Sequence, residues 1–334
     1  MKKYLLMIGL ILMLPARGYA APTENVVVTI APLYSLVQGV IGDTGEADLL
    51  LKGNVSPHTF QLKPSQVAKL QKAKIVFYIG KGMEVFLVRA LETLPDSVTQ
   101  VSMMDQPEMT ILEIREGGEW EHHDHSAHNH GEEEHRDHSA DDHDEEAHHD
   151  HDEHDHHGHE HEEMGDSHIW LDPANAIVMV KAITKELSKA YPENRAQYKE
   201  NALEMISKIE ASDKEANAVL EPVKDKPYVV FHDAYQYFEN YYGLSAVGSI
   251  VVEPGDAASA KRIATLRKKI AETGAICVFR EPQFSDKLSR LVTEETTAKL
   301  GTVDPIGAEL APGPDMYPQL LKQVALELVT CLND

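Results

Sequence analysis

Several signals that would assign a function directly are missing from this 334-residue chain. It has no His-Glu-x-x-His helix, no Gly-x-Ser-x-Gly elbow and no phosphate-binding glycine-rich loop; Gly80-Lys81-Gly82 is too short a match. The usual signatures of a zinc peptidase, a serine hydrolase and a nucleotide-binding enzyme are therefore absent. Basic residues are also scarce, 31 Lys and Arg against 55 Asp and Glu, for a formal charge of −24. That balance argues against nucleic acid as a partner. No apolar run reaches the roughly 20 residues a membrane-spanning helix needs. Only two cysteines occur, Cys277 and Cys331.

The longest apolar run, residues 4–14, follows Lys2 and Lys3 and precedes the small-residue stretch Gly18-Tyr19-Ala20. This is the pattern of a secretory signal peptide over residues 1–20, cleaved near Ala20. No cysteine follows the run, so a lipid anchor at a mature N-terminus is ruled out. The remainder is expected to be a soluble protein outside the cytoplasm, without direct membrane insertion. In that oxidising setting the two cysteines are expected to pair, closing a loop whose constraint would be worth roughly 4 kcal/mol in the chain-entropy model. Two inert buried thiols are the alternative.

Histidine and acid are concentrated in one place. Residues 119–166 hold sixteen of the nineteen histidines and twenty acidic residues against a single base, Arg136. Imidazole and carboxylate are ligands that Zn²⁺ accepts. After Trp120 the tract has almost no apolar side chains, too few to offset the entropy of ordering a backbone. A disordered His/Asp/Glu-rich loop over 115–167 is expected, with weak secondary metal sites at His122, His123, His125, His148, His149, His151, His154, His156, His157, His159 and His161. An inert acidic linker is the plainer alternative. In either case the tract cannot hold one ion in one geometry.

Around the tract, short apolar runs alternate with helical patterns. Residues 26–29, 49–51, 75–79 and 109–114 read as strands, with helices over 64–73 and 84–93 and a helical apolar face at Leu33, Leu36, Val37, Val40 and Ile41. Residues 173–190 read as a helix capped by Asp172 with Pro173 in its first turn. Residues 193–220 then read as one helix roughly 42 Å long, with two shorter helices broken near Ala211-Ser212-Asp213 as the alternative. A second series follows, with strands at 228–231, 246–252, 275–279 and 301–303 and helices at 234–242, 258–272 and 286–300. The expected fold is α/β: an N-terminal parallel-sheet domain (21–190), a rigid linker helix (191–222), a C-terminal parallel-sheet domain (223–334) and a metal cleft between the domains.

Three histidines lie outside the tract. His58 sits in a loop just past one expected strand, His232 directly follows another in the second domain, and His168 precedes the helix at Pro173. Open parallel sheets bind ligands at the carboxyl ends of their strands, so His58 and His232 would face each other across a cleft. A lone histidine at a strand end is more often structural than ligating. All three remaining histidines at such junctions, beside a metal-attracting tract, favour metal.

Four ordered blocks sharpen this: Ser56-Pro57-His58 with Phe60-Gln61-Leu62-Lys63-Pro64-Ser65; His168-Ile169-Trp170-Leu171-Asp172-Pro173; Phe231-His232-Asp233-Ala234-Tyr235; and Phe279-Arg280-Glu281-Pro282-Gln283-Phe284. Together with the histidine-rich insertion they resemble the ZnuA family, zinc-specific periplasmic substrate-binding proteins of ABC importers, related to manganese-binding members. The resemblance runs from about Val26 to Cys331. It implies two α/β domains joined by one long helix, Zn(II) as the transported ligand held by His58, His168 and His232, and a disulfide between Cys277 and Cys331. For the fourth ligand it offers Asp304, which matches an aspartate of manganese-type members, or water; the acidic residue that some zinc members carry before the first histidine is Pro57 here. Glu281 is expected to stand behind the ligands.

Three neutral imidazoles and one oxygen suit Zn²⁺ better than Mn²⁺, which prefers more carboxylate or water. The expected function is high-affinity periplasmic capture of Zn(II) and delivery to an inner-membrane ABC permease. The protein would be a monomer and not an enzyme, with the tract as accessory collector or sensor. The alternatives are a secreted zinc-dependent hydrolase, a manganese-binding member of the same family, or a metal-storage or adhesion protein.

Overall fold

The computed structural model describes residues 22–115, 165–252, 254–255 and 258–333. The expected leader and the tract histidines from His122 to His161 lie outside the described residues. The first sheet comprises β1 (Val26–Val28), β2 (Asp48–Leu49), β3 (Ile75–Tyr78) and β4 (Thr99–Ser102), all parallel in the order β2-β1-β3-β4. Its central strands are apolar at every position and buried on both faces, as parallel strands covered by helices require. Three helices connect it: α1 (Ala31–Ile41), α2 (Pro64–Lys72) and α3 (Val88–Glu92).

α4 (Pro173–Ala190) starts as the sequence dictates, with the Asp172 carboxylate accepting from the backbone nitrogens of Ala174 and Asn175. α5 (Arg195–Leu220) is unbroken through Ser212 and, at 1.5 Å per residue, about 39 Å long. Tyr198, Ala202, Met205, Ile209, Ser212, Ala216 and Leu220 form its buried stripe at spacings of three and four. The second sheet has β5 (Tyr228–Val230), β6 (Ala246–Ser249), β7 (Cys277–Arg280) and β8 (Lys299–Thr302), again all parallel, in the order β6-β5-β7-β8. With it come α6 (Gln236–Tyr242), α7 (Ala260–Thr273), α8 (Lys287–Thr293) and α9 (Met316–Leu332).

The expectation of two parallel-sheet domains with a long helix between them matches the structure, with local corrections. Residues 109–114 are not a strand; the fourth strand of the first sheet is β4, whose Thr99 and Gln100 are exposed and so give no apolar signal. The helix expected over 286–300 stops at Thr293 because Glu295 turns the chain with a φ of 63°, which frees 299–302 to become β8. α9 was not anticipated at all. It packs on α5 and on α1, so the last helix of the chain covers the first. As a result one apolar core runs from β1 through α4, α5 and α9 into the C-terminal domain. A second, smaller core around Val229, Ile250, Leu266 and Val278 covers the other face of the second sheet.

Cys277 of β7 and Cys331 of α9 are disulfide-bonded, with Cα atoms 6.2 Å apart. β8 passes close beside this bridge. A Cβ at Gly301 would lie 2.6 Å from the Phe279 ring and 3.2 Å from the Cys331 Cβ, so only glycine fits there.

Candidate metal centre

The carboxyl ends of both sheets open towards the same cleft. The chain leaves β2 through a loop that turns at Gly53 (φ 80°) and brings in His58, whose backbone nitrogen donates to Ser56 Oγ at 3.3 Å. From the other side Asn54 Nδ2 donates to Pro282 O at 2.6 Å, tying this loop to the C-terminal domain. His232 lies two residues past β5, and His168 introduces the short 3-10 turn Ile169–Leu171 ahead of α4. His168 and His232 are buried and His58 is partly so. Pro57, Trp170, Phe284 and Pro305 close apolar walls around them.

The three rings point their Nε2 atoms at one spot. His58 Nε2 is 3.2 Å from His168 Nε2, which is 3.4 Å from His232 Nε2. Two imidazole nitrogens bound tetrahedrally at a Zn–N distance of 2.0–2.1 Å would stand about 3.3 Å apart, between these two separations. Protonation supports the same reading. His168 Nδ1 lies 2.8 Å from Asp166 Oδ1, and His232 Nδ1 lies 2.7 Å from Glu281 Oε1. A carboxylate oxygen only accepts, so each Nδ1 carries a proton, and in the neutral form of each ring Nε2 then presents its lone pair to the cluster. Two lone pairs facing each other at 3.4 Å repel unless a cation sits between them.

The supporting carboxylates are themselves buried, and Asp166 Oδ2 and Glu281 Oε2 have no hydrogen-bond partner among the described residues. Placed behind the imidazoles, these carboxylates hold the rings in orientation and offset the charge of a dication. Burial, and then the neighbouring His168 and His232, push the His58 pKa well below 6.5 and keep that ring neutral. The result is a preformed set of three nitrogen donors.

Among the described residues this is the one cluster of three or more potential ligands, and it contains His58, His168 and His232 without Asp304. Asp304 is buried close by but faces elsewhere. Its carboxylate accepts from the backbone nitrogens of Ile306, Gly307 and Ala308 at 3.1, 3.0 and 2.6 Å and from Gln283 Nε2 at 2.8 Å. It organises the turn whose Pro305 carbonyl accepts from Trp170 Nε1 at 2.8 Å. Two contributors escaped sequence reading. Asp166 looked like the last acid of the tract, although its position two residues before His168 was a signal. Arg115 looked like one more charge at the tract's other end; its Nε lies 2.9 Å from Asp233 Oδ2 and its Nη1 2.7 Å from Glu239 Oε2.

The family model described as zinc-uptake complex component A, periplasmic, matches residues 26–331. The high-affinity zinc uptake system protein ZnuA of Brucella suis is 47% identical over 314 residues, 94% of this chain and 93% of that protein. The protein of the same name from Paracoccus denitrificans is 42% identical over 323 residues, 96% and 94% of the two chains. A crystal structure of ZnuA superimposes with a TM-score of 0.70 at 25% identity, covering 92% of this chain and 98% of that one.

Proposed function

This chain belongs to the ZnuA family of periplasmic zinc-uptake components, and we propose that His58, His168 and His232 are the ligands with which it holds its cargo. As a member it is the zinc-binding periplasmic component of an ABC importer, and Zn(II) is its transported ligand. The single observation that carries the ligand assignment is that His168 Nε2 lies 3.2 Å from His58 Nε2 and 3.4 Å from His232 Nε2, with ligand atoms of all three within 4.8 Å in a buried pocket. Water takes the fourth position. Asp304 could serve only by giving up its contacts with three backbone amides.

Capture follows from the chemistry of the residues. Asp166 and Glu281 fix two ring tautomers in advance, so little ordering is left to do when the ion arrives. Three imidazoles without a carboxylate donor favour Zn²⁺ over Mn²⁺. Delivery passes the ion to the permease with which the family works. The core shared by the two domains limits their relative motion, so release proceeds by modest tilting and loop rearrangement. The protein acts as a monomer without inserting in the membrane, after removal of residues 1–20; no helix among the described residues is long and apolar enough to cross a bilayer. The histidine-rich tract serves as an accessory collector or sensor. No catalysis is assigned, since Glu281 and Asp304, the acids a zinc hydrolase would use as general base, are turned to His232 and to backbone amides.

The test is calorimetric titration of the mature protein with Zn²⁺ beside the triple variant His58→Ala, His168→Ala, His232→Ala. Loss of one tight equivalent with retention of weak ones is expected. A tight equivalent surviving in the triple variant would refute the assignment.

A further inference from the structure

The segment leading into the tract is sequentially part of the N-terminal domain, where Thr110 pairs with Asn175 of α4, but from Leu112 onward it also bonds to the C-terminal domain. Leu112 N donates to Tyr237 Oη at 3.0 Å, and Tyr237 Oη donates to the carbonyl of Asp166 at 2.6 Å. Gln236 Nε2 donates to Glu113 O at 3.1 Å. Asp166 N donates to Leu112 O at 2.8 Å, so the two stems of the tract are paired to each other as well as to α6. At the end of this segment the Arg115 guanidinium spans Asp233, through Nε at 2.9 Å and through Nη2, and Glu239, through Nη1 at 2.7 Å. Glu239 is nearly fully buried and also accepts from Tyr228 Oη at 3.0 Å.

Asp233 is the residue after His232, and Asp166 is the residue that orients His168. Hydrogen bonds tie His168 to Asp166, Asp166 to Leu112 and Arg115 to Asp233, and the backbone of residues 112–115 and the peptide bond from His232 to Asp233 join them into one path. A bidentate guanidinium–carboxylate pair, partly buried and joined to a second buried acid, has the directional strength that a loose surface pair lacks.

We propose that Arg115 is a positioning residue for metal retention: it fastens the tract's stem to the side chain of Asp233, the residue after His232, keeps the third nitrogen in register with the other two, and so sets how slowly bound Zn²⁺ leaves. The proposal rests on the three-histidine assignment. It requires an effect on dissociation rather than on association, because the approach to the pocket is unchanged and the pairing opposes only the separation of His232 from His168.

The experiment uses the mature full chain loaded with one equivalent of Zn²⁺ and mixed with excess chromogenic chelator, with His58→Ala identifying which phase comes from the cluster. In the double variant Arg115→Gln with Glu239→Gln, which removes the cation and the buried anion together, the cluster phase is expected to accelerate tenfold or more while the association rate stays within twofold. Arg115→Lys, which keeps the charge without the fork, should fall between. If the double variant fails to fold, Asp233→Asn, which leaves the Arg115–Glu239 pair intact, should still accelerate the phase threefold or more. A cluster phase within twofold of the parent in a folded variant overturns the proposal while leaving the ligand assignment standing. A parent protein whose kinetics His58→Ala does not alter overturns the ligand assignment and the proposal with it.

Discussion

Asp166 Oδ1 lies 2.8 Å from His168 Nδ1 and 3.0 Å from the backbone nitrogen of the same residue, so one carboxylate oxygen fixes both the ring and the chain that carries it. Replacing Asp166 with Ala frees the ring to rotate and to change tautomer, and zinc affinity should fall by roughly 10- to 100-fold, the usual cost of losing such a partner. Glu281→Ala should act alike through His232. Competition titration against a chelator of known affinity measures both, and an unchanged affinity in either would contradict the role given to that carboxylate.

The same contact determines where the tract ends for functional purposes. Deleting residues 119–164 is expected to leave the tight equivalent intact and remove only weakly held zinc. Deleting 119–166 also takes away Asp166 and should weaken the tight site by an amount similar to Asp166→Ala. Zinc stoichiometry and tight-site affinity of the two deletions, side by side, separate the contributions.

Much of this was legible in the sequence, for identifiable reasons. Buried parallel strands are written as unbroken apolar runs, which is why 26–28, 75–78 and 228–230 could be read directly. The edge strand β4 has exposed polar residues at its start and gave no such signal. His58, His168 and His232 stood out because each falls at a junction between elements, a property of local pattern. The role of Asp304 was not local. Its lone pairs are taken by amides two to four residues ahead, a turn geometry that one Val-Asp-Pro step does not reveal. Arg115 and Asp166 were hidden by their neighbours, since a charge at the margin of a charge-rich tract looks like part of it.

In the metal-free fold His58 resists protonation. Burial depresses the His58 pKa, so protons begin to compete for that ring only well below pH 6.5. The unfolded chain takes up the same proton near pH 6.5. Between those two limits the unfolded state binds more protons, so His58 makes the metal-free protein less stable as pH falls below 6.5. Denaturant titrations of the metal-free protein at pH 7.5 and 5.5 test the sign: His58→Gln should lose less stability across that interval than the parent does.

The disulfide between Cys277 and Cys331, 54 residues apart in sequence, pins α9 to the second sheet. Changing both to Ser should lower unfolding stability by about 4 kcal/mol in the chain-entropy model. Denaturant midpoints of the oxidised parent and the double variant give the difference. Thiol titration of the unreduced parent after unfolding should find no free sulfhydryl.

Because α9 packs on α1 and α5, the final residues of the chain complete a core whose first contributor is Val26. A fragment that lacks α9 therefore lacks a wall of that core. The two domains are thereby coupled in folding: the packing around α1 is complete only once Met316–Leu332 is in place.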